Sequence, residues 1–253
     1  MQWCSFLVFL VRVVSRSAGR LTIHSSRHRF AARLNSGVRG HLMLRLILTV
    51  LAFWPVVGFA QNCAPATLKD ELLQRNETDQ VARRALLSGT QTKDALERVL
   101  EIDRENTQYM RLIVTECGWP KRSEVGEQAA RAAWRLTQHA DMDPQYQVFA
   151  SQHLEHAVHS GEAEGRDLAV LVDRNRRLND QPQVYGMQFL VGPGNVIQFY
   201  DIVNSGQLDA RRSEIGLPSF YCWAHQVASN NKGASIEWPS GILFSPQDCS
   251  SAP

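Results

Sequence analysis

Beyond residue 60, apolar side chains recur every three to four positions through most of the chain. That spacing gathers them into one stripe of a helix. Thr67 with Asp70 three residues later has the form of a capping box and predicts a helix over 67–87, broken by Ser88-Gly89-Thr90. A second helix is predicted over about 93–116. Gly118-Trp119-Pro120 ends it, because Gly accepts the terminal turn and Pro blocks a restart. A third begins after Ser123 and reaches His139. Asp143-Pro144 opens a fourth, with Asp as cap and Pro at the first helical position, and Ser160-Gly161 closes it. A fifth covers about 164–178. The pattern then changes: 183–191 and 195–202 lean to strand, and Gly192-Pro193-Gly194 between them supplies a turn. A last helix around 208–214 stops at Gly216-Leu217-Pro218. Past Trp223, scattered Asn, Ser, Gly and Pro read as a loop-rich tail, 224–253. The expected class is mainly α: five to six helices packed as one domain over 61–223, with a small β hairpin near the C-terminal third.

The first 60 residues have a different composition, with eight Arg, no Lys and no acidic residue. Residues 43–60 have the order of a signal peptide: a short basic start, an apolar run over 46–57, then Gly58-Phe59-Ala60. Cleavage is expected between Ala60 and Gln61. The apolar run is short for a membrane span, which takes about 20 residues. No stable membrane anchor is therefore expected after cleavage, a retained anchor being the competing reading. Ala60-Gln61-Asn62 before Cys63 does not resemble a lipid-attachment box. Residues 1–42, Arg-rich with a second apolar run over 6–14, fit either an upstream stretch before a true start at Met43 or an organelle transit peptide. The compact signal after Met43 favours the first. The expected location is exported, periplasmic or extracellular.

Removing the leader reverses the charge. The whole chain carries +2, but after Ala60 there are 19 basic residues against 25 acidic ones. An acidic mature chain argues against a nucleic-acid partner. Cys63, Cys117, Cys222 and Cys249 follow the cut, an even number that in an exported chain points to disulfides. At least one bond is expected, with Cys63–Cys249 favoured because it would tie both tails. Cys117, on an apolar helix face, is the candidate for a buried free thiol.

Candidate chemistry appears where polar residues interrupt apolar faces. In the second helix Leu96, Val99, Met110, Ile113 and Cys117 share a face with Asp103 and Asn106. A buried polar group without a partner costs about 2–7 kcal/mol, so this pair serves either a structural network or a ligand. In the third helix Val125, Ala129, Ala132, Leu136 and Ala140 form the apolar face, and Trp134, Gln138 and Asp141 lie opposite. Gln138-His139-Ala140-Asp141 sets a titratable ring, an amide and a carboxylate at a helix C-terminus, where the dipole favours a cation. Either a capping cluster or a site accounts for them. His153, His156 and His159 spread over about 120° of the fourth helix, too wide for one ion. They read as a solvated face, and neither a metal nor another cofactor is expected. Asp173 and Arg177 form an i, i+4 pair. In the first strand Gln183, Tyr185 and Met187 share one face, and Val184, Gly186 and Gln188 the other. Gly186 there points to close approach of another group.

Taken in order, Asp79-Gln80 with Arg83 or Arg84, Asp103 with Asn106-Thr107, Gly118-Trp119-Pro120, Val125-Gly126, Trp134 with Gln138-His139-Ala140-Asp141, Asp173-Arg174, Gln183 with Tyr185-Gly186 and Gln188, and Arg211 with Gly216-Leu217-Pro218 resemble the mostly bacterial family known as domain of unknown function 6624. The resemblance covers about 68–220 and implies a fold and a site, without an activity. Met187 departs from it, standing where the family usually has Thr. Two functions compete. One is a ligand-binding or interaction domain for a small molecule or protein, with Asp103, Asn106, Gln138, His139, Asp141, Asp173, Arg174, Tyr185 and Gln188 converging on one polar pocket and Arg174 balancing the carboxylates. The other is a hydrolase or transferase with His139 as general base, oriented by Asp141, Asp103 or Asp173. No serine elbow, P-loop or dinucleotide fingerprint supplies a nucleophile or cofactor.

Overall fold

The computed structural model describes residues 63–89, 92–242 and 249. The expected signal segment, everything upstream of it and most of the extreme C-terminal tail lie outside the described residues. The elements run α1 Pro65–Ser88, α2 Lys93–Cys117, α3 Arg122–Val125, α4 Glu127–Gln138, α5 Pro144–His159, α6 Gly165–Leu178, β1 Phe189–Gly192, β2 Val196–Phe199, a 3-10 turn Ser205–Gln207, α7 Leu208–Glu214, α8 Phe220–Asn230 and β3 Ser235–Glu237. The protein is mainly α with a small sheet near its C-terminal part. Among the described residues no helix is long and apolar enough to cross a membrane.

The helix starts follow local chemistry, with one exception. Asp143 caps α5 by accepting from the Tyr146 N–H at 3.0 Å, and Thr92 caps α2 through the Ala95 N–H at 3.2 Å. Thr67, by contrast, caps nothing. Helix α1 begins two residues earlier at Pro65, whose missing N–H is no loss in a first turn. The third predicted helix is two helices. Gly126, at φ 81°, turns the chain between α3 and α4. That positive φ is open to glycine and strained for other residues.

Helices α1, α2 and α4 pack on one another, and α5 lies against α6, joined to the first group through α2 and α4. Leu72, Met110, Ile113, Leu136, Tyr146 and Leu171 are sealed between them. Buried side chains of this size each contribute about 1.5–3 kcal/mol. The C-terminus of α4 therefore ends inside the helical group rather than at its surface, which places the residues discussed below.

The second part of the chain differs from the sequence reading. The hairpin is real but short: β1 and β2 are antiparallel from Phe189↔Phe199 to Gly192↔Val196. Residues 184–188 leave the ladder, because several of their N–H groups turn to side-chain acceptors. Nor is the segment past Trp223 a loop. Ser219 accepts from the Cys222 N–H at 3.3 Å and starts α8. Phe220, Trp223, Ala224, Val227 and Ala228 then form a buried face. The chain returns as β3, parallel to β2 with Ile197↔Ile236. The Asn, Ser and Gly residues that read as loop occupy the exposed side and end of α8.

The cysteines pair as Cys63–Cys117 and Cys222–Cys249. The favoured Cys63–Cys249 bond is therefore wrong, and Cys117 is not a free thiol. Cys117 closes α2 against the chain entering α1, which leaves the C-terminal tail to Cys222 of α8. Denatured protein purified without reductant is expected to show none of these four thiols to a thiol reagent. Reducing the 54-residue Cys63–Cys117 loop is expected to cost on the order of 4 kcal/mol in the chain-entropy model.

Candidate functional site

Four elements meet at the C-terminus of α4. His139 caps that helix, and its Nδ1 lies 3.0 Å from Asp79 Oδ1 of α1. Arg83, one turn further along α1, donates from Nε to the same oxygen at 2.9 Å and from Nη2 to Asp103 of α2. Gln80 donates to Asp79 Oδ2 at 2.7 Å. One ligand atom each of Asp79, Asp103 and His139 lie within 4.8 Å of one another. All three residues are buried. Asn106, on the Asp103 face of α2, accepts from Arg75 Nη1 at 3.3 Å, while its amide nitrogen is buried without a partner.

Asp141 and Arg174 flank this cluster. The guanidinium clasps the carboxylate through both oxygens, Nε to Oδ1 at 3.1 Å and Nη2 to Oδ2 at 2.6 Å. Such a fork gives orientation as well as attraction. Gln147 of α5, fully buried, holds the turn from below. Its amide donates to the Thr137 and Gln138 carbonyls at 3.3 and 3.1 Å and reaches Asp141 Oδ1 at 3.4 Å. It thus satisfies carbonyls that a helix end leaves open. Asn175 in turn donates to Gln147 Oε1 at 3.2 Å.

The electrostatics split the three central groups. Burial works to raise the Asp79 carboxyl, but the hydrogen bond and charge of His139, the charge of Arg83 and the Gln80 amide outweigh it and hold Asp79 well below the usual range. Burial acts first on His139 as well, lowering it; Arg83 and Arg174 add to that, against Asp79. The ring is therefore neutral at neutral pH, with Nδ1–H facing Asp79. Asp103 is pushed up to about 7, by burial above all and then by the charges of Asp79 and Asp141, against Arg83. An ionised carboxylate, a neutral imidazole and a carboxyl that titrates near neutrality thus sit side by side, an arrangement typical of functional sites.

Of the nine residues expected in one pocket, the structure brings together Asp103, Asn106, His139, Asp141 and Arg174. Gln138 joins through its backbone carbonyl. The other three belong to a second network. Asp173, adjacent to Arg174 but turned by about 100° on α6, is fully buried and accepts from the backbone N–H groups of Val184 (2.6 Å), Tyr185 (3.0 Å) and Met187 (2.8 Å). Tyr185 gives its N–H to Asp173, and its carbonyl accepts from Arg212. Gln188 is tied through its backbone to Gln183, as N–H donor to Oε1 at 2.8 Å and carbonyl acceptor from Nε2 at 3.1 Å. Gly186 is the close approach that the sequence indicated, but the neighbour is the Phe220 ring: an added Cβ would lie 2.6 Å from it.

Sequence reasoning about the pocket left out Asp79 and Arg83. A signal was present. Leu72, Asp79 and Leu86 stand seven residues apart on the buried face of α1, so Asp79 interrupts an apolar stripe as Asp103 does. The i, i+4 spacing of Asp79 and Arg83 supplies the counter-charge.

With this geometry in view, comparison with known proteins gives one result. Residues 66–229 match the model of a family described as "Family of unknown function (DUF6624)". The chain belongs to that family. Comparisons with curated proteins and with solved structures found no match. The match spans both networks, from the start of α1 nearly to the end of α8, and leaves β3 outside.

Proposed function

We propose that the chain is an exported ligand-binding or interaction domain whose site is the cluster of Asp79, Arg83, Asp103 and His139, with Asp141 and Arg174 at its edge. The observation that carries this reading is the buried charge itself. Asp79 and Asp103 are buried carboxylates, and one turn along α2 the Asn106 amide nitrogen is buried without a partner. Burying such groups is unfavourable unless something binds them. The two disulfides support export, because such bonds persist in oxidising compartments. They fit the signal segment over 43–60.

His139→Gln keeps a donor towards Asp79 and removes the ring. If the cluster serves a ligand, this variant is expected to melt within about 2 °C of the parent, since sites trade stability for function. A drop of more than about 8 °C, equivalent to several kcal/mol for a chain of this size, would assign the cluster to holding the fold and sink the proposal.

A second reading has its own observation. The 3.0 Å contact of Asp79 with Nδ1 fixes the tautomer that leaves Nε2 as a base. On that reading His139 is the general base of a hydrolase or transferase, and Asp79 is the orienting carboxylate. Turnover of p-nitrophenyl ester or phosphate probes, lost in His139→Gln while the fold persists, would decide for it.

A further inference from the structure

We propose that Asp79, Asp103 and His139 form a binding site for a divalent transition-metal ion of the zinc or manganese type. The inference rests on reading this cluster as a functional site and names the ligand class. The donor set is two carboxylates and one imidazole, with one atom from each within 4.8 Å of the others. Ligand atoms around a single zinc, each about 2.0–2.2 Å from it, are separated by distances inside that limit. Mixed oxygen and imidazole donors favour zinc or manganese over calcium or magnesium, which prefer oxygen alone.

Three further features point the same way. The ligands come from α1, α2 and the end of α4, each packed into the core, so their spacing is fixed before any ion arrives. The place is already one for a cation: Arg83 is held by both Asp79 and Asp103. An ion there would replace the proton between His139 Nδ1 and Asp79 Oδ1 and take the Asp103 carboxylate now held by Arg83. Asn106, 4 % exposed with its amide nitrogen unpartnered, lies one turn from Asp103. That nitrogen is a donor, suited to an oxygen or water held by the ion and not to the ion itself.

The charges agree. Three acidic side chains, Asp79, Asp103 and Asp141, face the two guanidinium groups of Arg83 and Arg174. A divalent ion offsets that excess, and Arg83 then keeps Asp79 alone. Gln80 on Asp79 Oδ2 serves as the kind of outer partner that orients a metal-bound carboxylate.

No motif marks this site, because its ligands are 24 and 36 residues apart on separate elements. The His153, His156 and His159 series on α5 is the competing location and the necessary control.

The test uses the full chain, stripped with a chelator and dialysed, then titrated calorimetrically with zinc chloride and with manganese chloride. One ion per chain is expected, with affinity at least tenfold weaker in His139→Gln and in Asp103→Asn and unchanged in His153→Ala. Cobalt(II) as a probe is expected to develop visible absorption bands in the parent and to lose them in His139→Gln. Absence of saturable binding in the parent would overturn the proposal. So would full affinity in both cluster variants, or loss of binding in His153→Ala. If either cluster variant fails to fold, the parent's melting temperature decides: it is expected to rise by several degrees with zinc, and no rise counts against the site. Failure here with His139→Gln still stable would remove the metal and leave the binding reading standing. A collapse of His139→Gln stability alone would remove that reading instead.

Discussion

Replacing Asp103 by Asn is expected to stabilise the protein at neutral pH. Asp103 ionises in the folded state only near pH 7, against an ordinary value of 3.8. The folded protein therefore holds a proton that the unfolded chain has already released. Stability falls as pH rises wherever the folded state binds more protons. The contribution of Asp103 is thus neutral below about pH 4, grows more unfavourable from there to about 7, and is constant above. Each pKa unit is worth about 1.4 kcal/mol, so the full shift amounts to roughly 4 kcal/mol. Asn keeps an oxygen for Arg83 and removes the buried charge. In chelator, Asp103→Asn is expected to gain on the order of 2 kcal/mol at pH 8, roughly 4–8 °C in melting temperature, and to lose that advantage by about pH 4. Urea denaturation of both proteins across that range measures the difference directly. Comparing the pair cancels the other carboxylates, including Asp79, whose lowered value acts with the opposite sign. A variant less stable than the parent at pH 8 would mean that the Arg83 pair outweighs desolvation.

The opposite result is expected at the neighbouring carboxylate. Asp173→Ala strips the acceptor from the half-buried N–H groups of Val184 and Tyr185 and the buried one of Met187. Each unpaired buried donor costs about 1–3 kcal/mol. A loss of at least about 4 kcal/mol is expected, which belongs to the rare severe class of single substitutions. The loop also supplies the Gly186 carbonyl to Trp223 Nε1 at 3.2 Å. The near-ultraviolet circular dichroism of the variant should therefore lose tryptophan signal before global unfolding. A loss under about 1 kcal/mol would show that the loop is held by its apolar contacts instead.

These two aspartates show where sequence reasoning reaches and where it stops. Asp103 was legible as a polar residue interrupting an apolar face, whereas Asp173 read as the i, i+4 partner of Arg177 and instead holds backbone N–H groups. The periodicity also carried the first two-thirds of the fold, because each helix there has an apolar stripe and a Gly, Pro or capping residue near an end. What it could not carry was direction around a helix combined with distant pairing. Asp173 and Arg174 are adjacent in sequence and serve different networks. Asp79 and His139 are 60 residues apart and share a hydrogen bond. The last third was read less well because α8 buries a face rich in aromatic and small residues amid polar ones. Its neighbour β3 is only three residues long, and a strand that short leaves no periodic trace.

The order of the disulfides bears on how the protein is made. Cys63 joins Cys117 and Cys222 joins Cys249, so each bond links cysteines that are consecutive among the four beyond residue 60. A chain emerging from its N-terminus presents Cys117 as the first partner for Cys63, and that partner is the native one. If that pair closes before Cys222 appears, Cys249 is the next thiol to arrive. Vectorial delivery thus selects the correct pairing from the three available to four cysteines. Oxidative maturation of this protein calls for a thiol oxidant and places little demand on a disulfide isomerase.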